Sequence, residues 1–350
     1  MDVLPPLKIE NNLELGDSIN GSASFSSPTI ADDFNNDPFL NADFYAFQLI
    51  HLLGRGSYGD VWKAKCNKIT VALKIIKSNE VLRGIFYKEV EAMRFFDHPN
   101  VIAIFGACVR PVHAIAMEYM ECGSLDHLLH VTKNIDYKAD HAFHWASQCA
   151  DAMAYIHGKH CAHADLKPAN LLLQDNYHHL KVADFGTVIY TNCDMDYRQG
   201  SASWMAPEVI SGSPPSKYSD YYSFGIILWE IITRKRPYDE YSNAEEILWS
   251  VYAGSRPPVI ANIPARLMQM IESCWNEVPN ERPSIQQIQK VLCILRLMYP
   301  NFNDPLTYAA SRSINEKTAA RKDKDDSAGN IPFLMRETDT GIECESSSNC

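Results

Sequence analysis

The pattern of hydrophobic and polar positions changes character partway along the chain. Between residues 47 and 73, short apolar runs separated by Gly and Lys predict strands, and a further strand pair is expected between Val101 and Met120. One helix interrupts this region, over about residues 83–96, where Phe86, Val90 and Met93 make an apolar stripe at i, i+4 and i+7. From residue 139 helices dominate. Ala146, Cys149, Ala150, Met153 and Ala154 follow the helical period, and Gly158 stops that helix. The predicted architecture is α+β: a small sheet-rich lobe over residues 44–120, a larger helical lobe over 121–300, and a cleft between them where a site is sought first.

The ends read differently. Residues 1–43 are rich in Asn, Asp and Ser, with Pro5, Pro6 and Pro28, and lack the apolar content needed to offset ordering entropy, so a disordered acidic tail is expected. Residues 301–350 are expected to be a mostly disordered polar tail, with a mixed-charge run at 321–326 and a Ser-rich end. No internal repeat is visible.

Charge sharpens this division. The net charge of −11 comes largely from residues 1–43, with eight acids against one base, and 301–350, with nine against six. The centre is left near neutral, without the basic surface that holds nucleic acid. The content of 46% hydrophobic and 21% charged residues suits a soluble globular chain. Ten cysteines are scattered without a CxxC pair, which predicts reduced thiols in the cytoplasm. The N-terminus lacks a basic start followed by an apolar core, and the most apolar stretch, 224–232, contains Glu230 and is too short to span a bilayer.

Within the strand-rich region, Gly54, Gly56 and Gly59 form a GxGxxG, weak alone because dinucleotide folds share it. Residues 60–65 read as extended chain, so a glycine flap between two strands fits better, with Val61 lining a pocket and bare backbone free to approach phosphate. Lys74 shares a strand face with Ala72. Glu89 falls on the apolar stripe of the following helix, where a buried carboxylate needs a cation, and Lys74 is the best-placed one.

The densest constellation runs from His163 to Gly186. Asp165, Lys167 and Asn170 precede an apolar strand, a polar turn and a return strand, which ends at Asp184-Phe185-Gly186. Such a hairpin sets Asn170 and Asp184 side by side, two hard oxygen ligands suited to Mg2+. Asp165 would then accept a proton from an attacking hydroxyl, and Lys167 would add positive charge where a phosphoryl group accumulates negative charge.

These segments, with Ala206-Pro207-Glu208, resemble in order and spacing the signature set of the eukaryotic protein kinases over about residues 44–297. The resemblance implies the two-lobed kinase fold, ATP with Mg2+, Met117 as gatekeeper and a hinge at Glu118, Tyr119 and Met120. The nucleotide set it implies is Gly54, Gly56, Gly59, Val61, Ala72, Lys74, Glu89, Met117, Glu118 and Met120. Lys167-Pro168 and Ser201 look like the serine/threonine type. Asp220, Trp229, Cys274-Trp275 and Arg282-Pro283 match scaffold positions, with Arg282 the expected partner of Glu208. The surroundings of Met117, Gly186-Thr187, Trp204 and Arg236-Pro237 resemble the TGF-β-activated kinases of the MAP kinase kinase kinase group. That likeness implies MAP kinase kinases as substrates and an activator or adaptor subunit on the kinase domain, although no coiled-coil tail follows Tyr308.

Ala164 stands where the family carries an arginine that clamps a phosphorylated activation segment. Cys193 and Asp196 also replace phosphorylatable threonines. The expectation is catalysis that does not require phosphate on this loop, the alternative being a weak or inactive pseudokinase scaffold. His157, His160 and His163 beside Cys161 match no zinc template and read as packing residues.

Overall fold

The computed structural model describes residues 37, 39–56, 58–190, 200–301, 304 and 306–308. Its first lobe is built from β1 (Gln48–Arg55), β2 (Gly59–Cys66), β3 (Ile69–Ile76), α1 (Glu80–Phe95), β4 (Ile104–Cys108) and β5 (Ala114–Glu118). The strands form one antiparallel sheet in the order β1-β2-β3-β5-β4. Asn67 and Lys68, both at positive φ, make the two-residue connection from β2 to β3 that matches the twist of the flanking strands. Alternation along β3 divides its side chains between two cores. Val71 and Leu73 join Ala64, Cys108 and Ala116 in a small cluster, whereas Ala72 and Ile76 face the main core, and Lys74 lies on their side.

The helix expected over 83–96 begins three residues earlier, because the cap rather than the stripe sets its start: the Asn79 side chain accepts the Val81 N–H. Phe86, Val90 and Met93 are buried as the stripe requires.

The second lobe contains β6 (Gly123–Ser124), β7 (Ile135–Asp136), α2 (Ala139–Gly158), β8 (Cys161–Ala162), β9 (Leu171–Gln174), β10 (His179–Val182) and β11 (Ile189–Tyr190). They are followed by α3 (Pro207–Ile210), α4 (Lys217–Thr233), α5 (Ala244–Tyr252), α6 (Ala265–Cys274), α7 (Ile285–Met298) and β12 (Thr307–Tyr308). Apolar residues surround α4 on every side, so it is the central helix of this lobe, buried from Ser219 to Ile232. The lobes are stitched together where Ile102 N–H donates to Val182 O at 2.9 Å and Val182 N–H to Asn100 O at 2.8 Å. The expected two-lobed α+β architecture is thus present. Among the described residues, no helix is long and apolar enough to cross a membrane, and the cysteines are free thiols.

The boundaries expected at 43 and 300 both fall inside packed structure. Leu40 is completely buried, and Ala107 N–H donates to Phe39 O at 2.8 Å. At the other end Thr307 and Tyr308 pair with Asp136 and Ile135, and a His141 ring nitrogen bonds Asp304 O at 2.8 Å. Phe39-Leu40 and the 306–308 triplet are too short to show a period, so composition hid them inside polar stretches. The rest of both expected tails, and Thr191, Cys193, Asp196 and Tyr197 of the activation segment, lie outside the described residues.

Candidate active site

The site forms where the sheet of the first lobe meets the β9–β10 hairpin of the second. On β3, alternation turns Lys74 inward, and its ammonium lies 2.6 Å from Glu89 Oε1 on α1 and 2.9 Å from Asp184 Oδ1. The pair with Glu89 is the one the apolar stripe demanded; the bond to Asp184, 110 positions away, is additional. Burial pulls the ammonium's pKa down, but the two carboxylates outweigh it and hold Lys74 charged, above the ordinary lysine range. Burial also pushes Asp184 up, yet Lys74, joined by His163 and Lys167, more than offsets this and keeps it below the usual carboxylate range.

The hairpin behaves as its pattern requires. Leu171 pairs with Val182, and Ala183 N–H donates to Asn170 O at 2.9 Å, which puts Asn170 and Asp184 at the same edge. Asn170 spends its Nδ2 on Asp165, 2.8 Å from the backbone oxygen, so its amide oxygen is left as an acceptor. An amide oxygen and a carboxylate form a hard donor set that fits a divalent cation such as Mg2+. Phe185 packs between His163 and Phe96, with ring centroids 5.3 and 5.1 Å away, and so anchors the turn that presents Asp184.

Asp165 lies on the loop before the hairpin, and its carboxylate is a junction. Oδ2 accepts from Lys167 Nζ at 2.6 Å, and Oδ1 accepts the Ser201 N–H at 3.0 Å. Lys167 Nζ also donates to Ser201 Oγ at 2.7 Å. Ser201 thus forms one unit with Asp165 and Lys167. Its backbone contribution had no signal in the sequence. Beneath them, the buried carboxylate of Asp220 on α4 accepts the N–H groups of His163 (2.8 Å) and Ala164 (3.0 Å), and pairs with His157 Nε2 at 2.8 Å. Ala164 adopts φ +67°, a conformation unfavourable for alanine, and the Asp220 bonds help hold it. His157 and His163 are therefore engaged in packing and loop support, and among the described residues no metal cluster includes them.

The glycines divide by role. Gly54 pairs with Val61 across β1 and β2, and Gly56 N–H donates to Gly59 O at 2.8 Å, closing the flap. Gly59 answers to packing instead: a Cβ there would stand 2.2 Å from Ile75 O, so β3 itself excludes a side chain. Tyr58, at the flap, was not singled out by the sequence. Burial, followed by the charges of Asp184 and Asp165, raises its phenol pKa. Opposite the flap, Ala72 pairs with Met117 across β3 and β5, Met120 is buried, and Val61 is half-buried. The Glu118 carboxylate pairs with Lys181 at 2.7 Å, a clamp between hinge and hairpin for which the sequence carried no signal. Further off, Arg282 and Glu208 form the expected pair through two bonds of 2.7 and 2.8 Å.

Residues 47–292 match the family described as protein tyrosine and serine/threonine kinase. The chain is 41% identical over 280 residues to mitogen-activated protein kinase kinase kinase 7 of Homo sapiens, which covers 79% of this chain and 46% of the relative. It is 38% identical over 270 residues to the Drosophila melanogaster protein of that name, covering 76% and 40%, and 33% identical over 266 residues to mom-4 of Caenorhabditis elegans, covering 73% and 49%. The chain thus spans about half the length of the curated relatives it matches.

Proposed function

The chain belongs to the protein tyrosine and serine/threonine kinase family, and from that premise we propose that it transfers the γ-phosphoryl group of ATP to serine or threonine hydroxyls of protein substrates. The observation that carries this reading is the connected set Glu89, Lys74 and Asp184 facing the separate junction of Asp165, Lys167 and Ser201. ATP bound with Mg2+ would supply the transferable group and the charge neutralisation. Asp184 and Asn170 would hold the cation, and Lys74, fixed by Glu89, would orient the phosphates. Gly54, Gly56 and Val61 would cover the nucleotide, while Ala72, Met117 and the backbone of Glu118–Met120 would border its base.

Asp165 orients the substrate hydroxyl and takes its proton, and Lys167 offsets charge developing on the phosphoryl oxygens. Retention of Lys74, Asp165 and Asp184 supports transfer over a non-catalytic scaffold. The names of the relatives support MAP kinase kinases as substrates, and the reduced thiols expected from the scattered cysteines support a cytoplasmic location. An activator or adaptor subunit on the kinase domain completes this reading.

Regulation differs from the usual arrangement. With Ala164 a methyl group stands where a guanidinium would receive a phosphate, so catalysis proceeds without phosphate on the activation segment. Phosphatase treatment should leave activity intact; loss of activity that returns on rephosphorylation contradicts this. Calorimetry tests the site itself: ATP with Mg2+ should release heat at micromolar to millimolar concentration, and Asp184→Asn should abolish the part that depends on Mg2+. Absence of heat from the parent chain at millimolar nucleotide would overturn the assignment.

A further inference from the structure

β4 is an edge strand of the five-stranded sheet, and edges carry unpaired backbone groups unless something covers them. The segment before β1 does so here. Ala107 N–H donates to Phe39 O at 2.8 Å, Ala42 N–H donates to Ala107 O at 3.1 Å, and Asn41 bridges Cys108 antiparallel. Gly106 lies under the crossing, where a Cβ would come within 3.4 Å of Phe39 O. Leu40 enters the same core as Phe86, Val90 and Met93 of α1.

This segment also grips α1 directly. Asp37 Oδ2 lies 2.5 Å from an Arg94 guanidinium nitrogen, while Asp37 Oδ1 accepts the Phe39 N–H at 2.9 Å. The Asn41 side chain donates to Asp37 O at 2.9 Å, and the guanidinium lies over the Phe39 ring, 4.6 Å from its centroid. Arg94 is in the last turn of α1, where a cation also suits the carbonyl end of the helix. Glu89 lies five residues earlier, about 7.5 Å along the same axis. At the opposite end Val81 is 71% exposed.

We propose that Asp37 and residues 39–43 form a strap that fixes the C-terminal end of α1, with Asp37, Phe39 and Arg94 acting as positioning residues for the Lys74–Glu89 pair. A helix moves as a rigid rod over this length, so a released Arg94 end lets Glu89 drift from Lys74 without any change in the reacting groups. The inference rests on the phosphoryl-transfer reading given above.

The test compares the full chain with Asp37→Ala, Arg94→Ala, the double variant and Asp37→Glu, by hydrogen exchange of residues 80–95 and by steady-state kinetics. Each alanine variant should speed exchange in α1 roughly five-fold, the worth of a half-exposed ion pair with its ring contact, and leave β3 and β5 unchanged. The turnover number should fall by a similar factor with the KM for protein substrate unaltered. The double variant should be no slower than the slower single, because the pair acts as a unit, and Asp37→Glu should recover most of the loss. Unchanged exchange in α1, or losses that add in the double variant, overturns the strap. A parent chain that transfers no phosphate defeats the functional reading alone, since the exchange experiment still decides the strap.

Discussion

Replacing Asp220 with asparagine removes one charge from the middle of the second lobe, and the structure sets the scale of the damage. The carboxylate is buried and accepts three N–H groups, from His163 and Ala164 backbone and from His157 Nε2, at 2.8–3.0 Å. Asparagine keeps one acceptor oxygen and turns an NH2 group towards a donor. A hydrogen bond to a charged group contributes roughly 1.5–3 kcal/mol, so one lost bond with one buried donor facing another costs about 3–4 kcal/mol. For a domain of this size that lowers the melting temperature by about 6–16 °C.

The pH dependence follows from the direction of the shift. Burial pushes the Asp220 carboxyl up, but the bond from His157 and the neighbouring donors outweigh it and hold the group below its ordinary range. Its contribution is therefore complete above the unfolded value of about 3.9 and is lost only as pH falls through the lower folded value. Denaturant titrations of parent and Asp220→Asn should differ by the same amount from neutral pH to about pH 5, and converge only in stronger acid. Turnover should fall at least ten-fold, because residues 163–165 lose their anchor. A variant that melts within 2 °C of the parent, or a difference that vanishes by pH 6, refutes this reasoning.

Other substitutions probe separate contacts. Gly59→Ala forces a Cβ against Ile75 O and should cost about 1–3 kcal/mol in denaturant unfolding, whereas Gly54→Ala, with open space around it, should be nearly neutral in stability. Arg282→Ala strands the Glu208 carboxylate and the Tyr218 carbonyl and should destabilise by about 3–5 kcal/mol; Arg282→Lys should recover only part, because it cannot make both bonds. Burial, with Arg296 nearby, pushes His144 down to about 4. The unfolded chain therefore takes up this proton first as pH falls from about 6.5, and folded stability declines towards pH 4; His144→Gln should flatten that decline in urea titrations.

Much of the site could be read from spacing because its geometry is local. A carboxylate on an apolar helical stripe demands a cation, and an even hairpin returns Asp184 to Asn170 whatever surrounds it. What escaped depends on contacts between distant segments. The bond from Lys74 to Asp184 exists only once the two lobes dock, and Ser201 N–H reaches Asp165 only after the chain has travelled 36 residues around the activation segment. Gly59 reads as a phosphate-approaching glycine in the sequence, yet its constraint is the neighbouring strand. Phe39 and Leu40 read as tail because two apolar residues have no period; the burial of Leu40 depends on packing beside an edge strand that begins 64 positions later.

The central claim is most directly tested by transfer of labelled phosphate from ATP to a purified MAP kinase kinase, with the Asp165→Asn chain as control. The account predicts label on serine or threonine of the substrate with the parent chain and at least a hundred-fold less with the variant, since the proton acceptor at the hydroxyl is removed. Equal labelling by both, or none by the parent chain, would contradict it.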